Sequence, residues 1–206
     1  MVRTSFGKPI VRKKLPLTSG ALLFAFLLAV PSANIASGNS GLVERAVSEY
    51  EVKAAYIYNF AKFIDWPMNA FSTKGAPINI GIIGDNEFGA LLENIVKDKT
   101  VKEHAIQVHL IKWPADLHTC HMVYVGSSEQ KRFRQIVDSL QGYPILTITE
   151  VEESSQAKGI MNLFVEGGKV QFEVNIALAE KAQLKISSKL LRLARGIVGT
   201  YSGKGE

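Results

Sequence analysis

Residues 77–96 read Pro77-Ile78-Asn79-Ile80-Gly81-Ile82-Ile83-Gly84-Asp85-Asn86-Glu87-Phe88-Gly89-Ala90-Leu91-Leu92-Glu93-Asn94-Ile95-Val96. The β-branched run up to Ile83 suits a pleated, buried surface and stops at Gly84-Asp85, a turn signal. Beyond it Phe88, Leu91, Leu92, Ile95 and Val96 recur at helical spacing. The stretch therefore predicts strand, tight turn and helix in that order.

The same alternation continues toward the C-terminus. Ile106 to Ile111 alternates as a strand, and Met122-Val123-Tyr124-Val125 is a continuous apolar strand halted by Gly126-Ser127-Ser128. A helix is expected from about Glu129 to Leu140, with Phe133, Ile136, Val137 and Leu140 on its inner face, before a strand at Pro144 to Thr149. After the polar stretch Glu150 to Gly159, Ile160 to Val165 and Val170 to Val174 flank Glu166-Gly167-Gly168-Lys169. Paired glycines accept the positive φ of a tight hairpin turn. Two helical segments close the chain, about Ile176 to Ala182 and Ser188 to Val198. Strands alternating with helices predict an α/β three-layer sandwich: a mostly parallel central sheet, helices on both faces, and a late antiparallel hairpin at its edge.

Toward the N-terminus, only Asn59 and Lys62 interrupt the apolar and aromatic residues of Ala54 to Ile64. A helix so apolar all round must be buried or docked, and Trp66-Pro67 ends it. The fold is expected to begin near Glu44, after a small, polar segment containing Gly38, Asn39, Ser40 and Gly41.

The 206 residues carry 24 Lys and Arg against 19 Asp and Glu, a net charge of +5. The excess sits at the front, in Arg3, Lys8, Arg12, Lys13 and Lys14, and setting those aside leaves bases and acids balanced. The global footprint of a nucleic-acid binder is therefore absent. The basic start runs into an apolar stretch, densest from Ala21 to Val30, and then into Pro31, Ser32 and Ala33. This is the three-part pattern of a secretory signal. Its apolar core, roughly 10 residues, is short of the ~20 that span a bilayer as a helix, so cleavage is expected rather than a retained anchor. Any bond from Ser32 to Gly38 could be cut. The expected organisation is a signal peptide over 1–36, a flexible mature N-terminus over 37–48, an α/β domain over 49–198 and a tail over 199–206.

In such a sheet ligands usually sit beyond the carboxyl ends of the strands, which singles out Gly84-Asp85-Asn86, Gly126-Ser127-Ser128 and Thr149-Glu150. Gly84, Asp85, Gly126, Ser127 and Ser128 are therefore candidate ligand residues, with helix capping as the competing reading. Gly81-Ile82-Ile83-Gly84 lacks the dinucleotide spacing, its third glycine falling at Gly89. His118-Thr119-Cys120-His121 has metal-ligand types but no second cluster, so no metal and no cofactor are expected. Cys120 is the lone cysteine, which rules out an internal disulfide. With no nucleophile elbow or acid–base constellation in view, catalysis is not expected.

Drawn as a helix, Ser188 to Val198 puts Leu190, Leu193, Ala194 and Ile197 on one face and Lys189, Arg192 and Arg195 on the other. A cationic strip there, with the solvated face of a docked helix as the competing reading, joins the exposed hairpin turn as the expected partner surface: Glu166, Lys169, Lys185, Ser187, Lys189, Arg192 and Arg195. The second candidate is a small-molecule binding module using the strand-end turns and the aromatics Tyr56, Tyr58, Phe60 and Trp66.

Two segments, Tyr50 to Pro67 and Leu184 to Ala194, resemble the opening and closing signatures of the YfiR-like family of periplasmic regulatory proteins. Between them, Ile82-Ile83-Gly84-Asp85 with Phe88-Gly89, Cys120 to Gly126, and Phe172-Glu173-Val174-Asn175 match the same pattern in order. The resemblance spans about Glu49 to Arg195. It implies a periplasmic α/β domain, often a homodimer, that binds the periplasmic part of an inner-membrane diguanylate cyclase or another sensor and holds it inactive. An outer-membrane lipoprotein would sequester it under stress, with cyclic-di-GMP and biofilm output downstream. The best-known type of member carries cysteine pairs, and Cys120 has no partner with which to repeat them.

Overall fold

Helix α1, Glu49–Phe63, begins on a capping box in which the Ser48 hydroxyl accepts from the Glu51 N–H and the Glu51 carboxylate accepts from the Ser48 N–H. The structure, a computed structural model, describes residues 48–150 and 158–199. The expected signal peptide, most of the mature N-terminal leader, residues 151–157 and nearly all of the tail lie outside these. Among the described residues no helix is long and apolar enough to cross a membrane.

α1 stops at Phe63, three residues before the Pro-restricted Trp66, because Ile64–Asp65 (β1) pairs antiparallel with Lys185–Ile186 (β9). Nor is the helix covered all round. Lys53, Ala54, Ile57, Phe60 and Ala61 are buried, whereas Ala55 and Lys62 face solvent.

The remaining strands are β2 (Ile78–Ile83), β3 (Thr100–Val101), β4 (His104–Ile111), β5 (Met122–Val125), β6 (Leu146–Glu150), β7 (Met161–Glu166), β8 (Lys169–Asn175) and β10 (Gly196–Val198). They form one sheet in the order β10-β8-β7-β6-β5-β2-β4-β3. Pairing is parallel across β4-β2-β5-β6-β7 and between β8 and β10. It is antiparallel between β3 and β4 and in the β7–β8 hairpin. Gly167 and Gly168, at φ 57° and 74°, make the two-residue turn that the sequence predicts. The hairpin is not the margin of the sheet, however, since β10 lies outside β8.

Alternation along the central strands divides the core between two faces. Ile78, Ile80 and Ile82 of β2 and Met122 and Tyr124 of β5 join α1, helix α2 (Asn86–Val96), and residues of α4 (Ile176–Lys181) and α5 (Ser188–Leu191). Ile83, Val123 and Val125 face the other way, onto Phe133, Ile136 and Leu140 at helix α3 (Phe133–Ser139) and its cap. The expected helix from Glu129 opens instead as a 3-10 segment, Ser127–Arg132, with α3 following. The three-layer α/β arrangement with a mostly parallel sheet is thus observed.

One element differs in kind. The expected helix from Ser188 to Val198 is a single turn, α5, after which the chain straightens and Gly196–Val198 becomes β10. The Arg195 N–H donates to the Phe172 carbonyl at 2.8 Å, so the open edge of β8 captures the segment. Gly196 is a poor helix former and Ile197-Val198 a good strand pair, and edge pairing overrides the leucine-rich periodicity before them. Leu193, predicted on the inner face, is 68% exposed, and Ile197 is 49% exposed.

Candidate functional site: the carboxyl edge of the sheet

The register brings three groups of residues to one end of the sheet. Glu150 at the end of β6 pairs with Leu163 of β7, so the hairpin tip lies on the same edge as the ends of β2, β5 and β6. α1 runs back over the sheet and points its N-terminal turn at this edge, where Tyr50 and Lys53 meet Asp85 and Glu150.

The first group is the pair of strand-end turns. Gly84, at φ 83°, turns the chain out of β2, and a side chain there would meet the Ser128 hydroxyl. Ser128 Oγ donates to the Gly84 carbonyl at 2.5 Å, and the Gly126 N–H donates to the Ile83 carbonyl at 2.9 Å. Asp85 caps α2 by accepting from the Phe88 N–H, and its second oxygen accepts from the Tyr50 hydroxyl at 2.9 Å. The structure therefore brings Gly84, Asp85, Gly126 and Ser128 together, with Ser128 bonded to Gly84 and the Asp85 carboxylate engaged by Phe88 and Tyr50. Ser127 is exposed beside them.

The second group was not anticipated from the sequence. Lys53, only 1% exposed, bonds Glu150 Oε1 at 2.5 Å and pairs with Glu49 one turn earlier. Tyr124 donates to Glu150 Oε2 at 2.6 Å. Burial pulls Lys53 toward its neutral form, but the bonds to Glu150 and Glu49 outweigh it and hold the ammonium above the usual lysine range. Burial, with the Glu150 charge next, pushes the Tyr124 phenol up. The available signal was a lysine on the i, i+3, i+4 stripe shared with Ala54, Ile57, Phe60 and Ala61.

Tyr50 gives this network a measurable pH dependence. Its hydrogen bond to Asp85, followed by burial, raises its pKa from 10.0 to about 12. The folded protein then holds a proton that the unfolded chain has lost, so this contribution to stability is complete below pH 10 and disappears as pH rises toward 12. Urea midpoints measured from pH 8 to 11 are expected to fall more steeply for the native chain than for Tyr50→Phe. Parallel curves would refute the assignment.

The third group is the hairpin end. Glu166 accepts from Arg195 Nε at 3.2 Å and from Gln171 at 3.0 Å, and Lys169 stands opposite it in the register. Val165 is exposed beside them. The other expected partner residues are not on this cluster. Lys185 lies in β9, opposite Asp65, and Ser187 donates its N–H to Phe63, both at the far end of α1. Lys189 is in α5 and Arg192 caps it, so no continuous basic helix face links them to Arg195.

The His118-Thr119-Cys120-His121 segment disperses its side chains. Cys120 is buried against Gly81, and burial pushes its thiol up. His121 accepts from the Asn79 N–H at Nδ1 and bonds the Ala70 carbonyl at Nε2, while His118 stacks on Tyr143. Tyr56 and Phe60 pack against Phe172, and Tyr58 sits under Lys62 and Lys99.

Together these features define a doubly covered, mostly parallel α/β domain whose carboxyl edge is crossed by internal hydrogen bonds and ion pairs and opens beside Gly84 and Ser128. The chain belongs to the YfiR/HmsC-like family, whose model matches residues 50–195. Among solved structures it is similar to the ABC domain in complex with L-Trp from Streptococcus pneumonia, with 12% identity and a TM-score of 0.43. That match covers 58% of this chain and 55% of the other, so the chain spans about half the length of that structure.

Proposed function

We propose that the protein is a non-catalytic periplasmic regulator that binds and restrains an inner-membrane signalling enzyme, a diguanylate cyclase, and so lowers cyclic-di-GMP and biofilm output. The observation that carries this reading is the YfiR/HmsC-like match across nearly all of the folded domain. The basic, apolar leader at residues 1–36 supports export, with cleavage releasing the domain into the periplasm.

The hairpin end is the proposed docking surface, in a homodimer or a monomer alike. Glu166, Lys169 and Arg195 present both signs of charge beside the exposed Val165. Charged groups around an apolar spot steer encounter and set register more than they add affinity. The Arg195–Glu166 pair is half exposed and contributes at most about 1 kcal/mol to stability, so reversing charge there leaves the fold intact.

Co-purification with the periplasmic part of the cyclase tests this. Lys169→Glu with Arg195→Glu is expected to abolish retention while the melting temperature stays within a few degrees of the parent. Lys189→Glu with Arg192→Glu, on the separate α5 segment, is expected to weaken retention less. Full retention by the first double variant would discard the hairpin end as the contact surface.

A further inference from the structure

A roomy opening lies at the other end of the domain, where the chain leaves α1. It encloses about 580 Å³ between the loop after Trp66 and the strands β2, β3 and β4. That is within the range of ordinary small-molecule sites, roughly 300–1,000 Å³. Its floor and walls are apolar: Ile64, Trp66, Phe71, Ile78 and Val101.

The wall formed by Phe71 is fixed. Its ring stacks between His104 and His121, with centroids 4.2 and 4.4 Å away and planes within 25°. Both imidazoles are tied to the loop backbone, His104 to the Ala76 carbonyl and His121 to the Ala70 carbonyl. The Trp66 indole N–H donates to the His121 carbonyl. An aromatic wall held by this many bonds does not fall into the cavity and fill it. Met68, at the mouth, is 96% exposed and makes the rim apolar as well.

Charge at the rim sets the chemistry of the occupant. Lys102 is spoken for by Asp65 and the Ile64 carbonyl. Lys74 also lines the opening and, among the described residues, forms no ion pair. An apolar chamber with one uncommitted cation at its mouth suits a ligand with an apolar or aromatic body and a single negative group. We infer that this cavity is a binding site for an amphiphilic monoanion such as an aryl carboxylate, its ring against Trp66 and Phe71 and its carboxylate toward Lys74. The site is separate from the carboxyl edge and the hairpin end, and it does not depend on which partner the protein restrains.

Isothermal titration of the exported chain with 4-phenylbutyrate and its neutral analogue 4-phenylbutanol tests the inference. The acid is expected to bind one to one and to quench Trp66 in a Trp113→Phe background, with the alcohol roughly tenfold weaker. Lys74→Glu is expected to remove that preference, and Ser72→Phe, on an exposed lining residue, to block both probes by filling the space. Both positions are solvent-facing, so circular dichroism should match the parent. Absence of saturable binding up to the solubility limit overturns the inference. Equal affinity for acid and alcohol, or unchanged binding in both variants, overturns it as well.

Discussion

Replacing Lys53 with Met is expected to destabilise the domain by about 3 kcal/mol, read as a fall of roughly 6–12 °C in melting temperature. The lysine is buried, yet it answers two carboxylates, Glu150 from β6 and Glu49 from its own helix. Removing it leaves Glu150, itself only 21% exposed, without a cation and with the Tyr124 hydroxyl as its remaining donor among the contacts described. Breaking one member of a buried pair costs far more than the pair contributes, because the stranded charge keeps its desolvation penalty. The double variant Lys53→Met/Glu150→Gln is therefore expected to be more stable than Lys53→Met alone. A single variant within 1 kcal/mol of the parent would show that Glu150 reaches water by another route.

Truncating Phe60 to Ala is expected to cost about 3–5 kcal/mol. Its ring is fully buried and meets Phe172 edge-on at 5.1 Å, with Tyr56 completing the cluster that seats α1 on β8. Phe60→Leu keeps most of the volume and is expected to lose less than half as much. Because Tyr50 and Lys53 ride on the same helix, the truncation should also flatten the alkaline dependence attributed to Tyr50. Urea denaturation of the two variants at pH 8 and pH 10.5 measures both effects. A Phe60→Ala loss below 1 kcal/mol would mean that α1 is held mainly by its N-terminal polar network.

The elements that could be read from the sequence were those fixed by neighbours in the chain. The β2–α2 unit is legible because the stretch from Ile78 to Ile83 is rich in isoleucine, interrupted by one polar residue, Asn79, and because Gly84 supplies the turn. The hairpin was visible because Gly167 and Gly168 meet a backbone requirement within two residues. The C-terminal segment differs from its expected helix because its leucine spacing is helical, and only Gly196-Ile197-Val198 favours a strand. A sequence window does not contain the free edge of β8 that decides between them.

The candidate surfaces divide in the same way. Gly84, Asp85, Gly126, Ser127 and Ser128 are ligand candidates by their place at strand ends, and the structure sets the first turn against the second through Gly84 and Ser128. Lys185, Ser187, Lys189 and Arg192 were grouped with Arg195 by a helix that ends after one turn, and the chain carries them apart.

The sequence by itself determined the alternation of strands and helices from β2 to β8, the parallel character of the sheet and the hairpin turn, since hydrophobic period and backbone freedom act over a few residues. Only the tertiary structure decided that Lys53 meets Glu150 across 97 positions, that Phe71 lodges between His104 and His121, and that β10 forms at all. Each of these depends on groups distant in the chain satisfying one another's burial or hydrogen bonding, which no local pattern encodes.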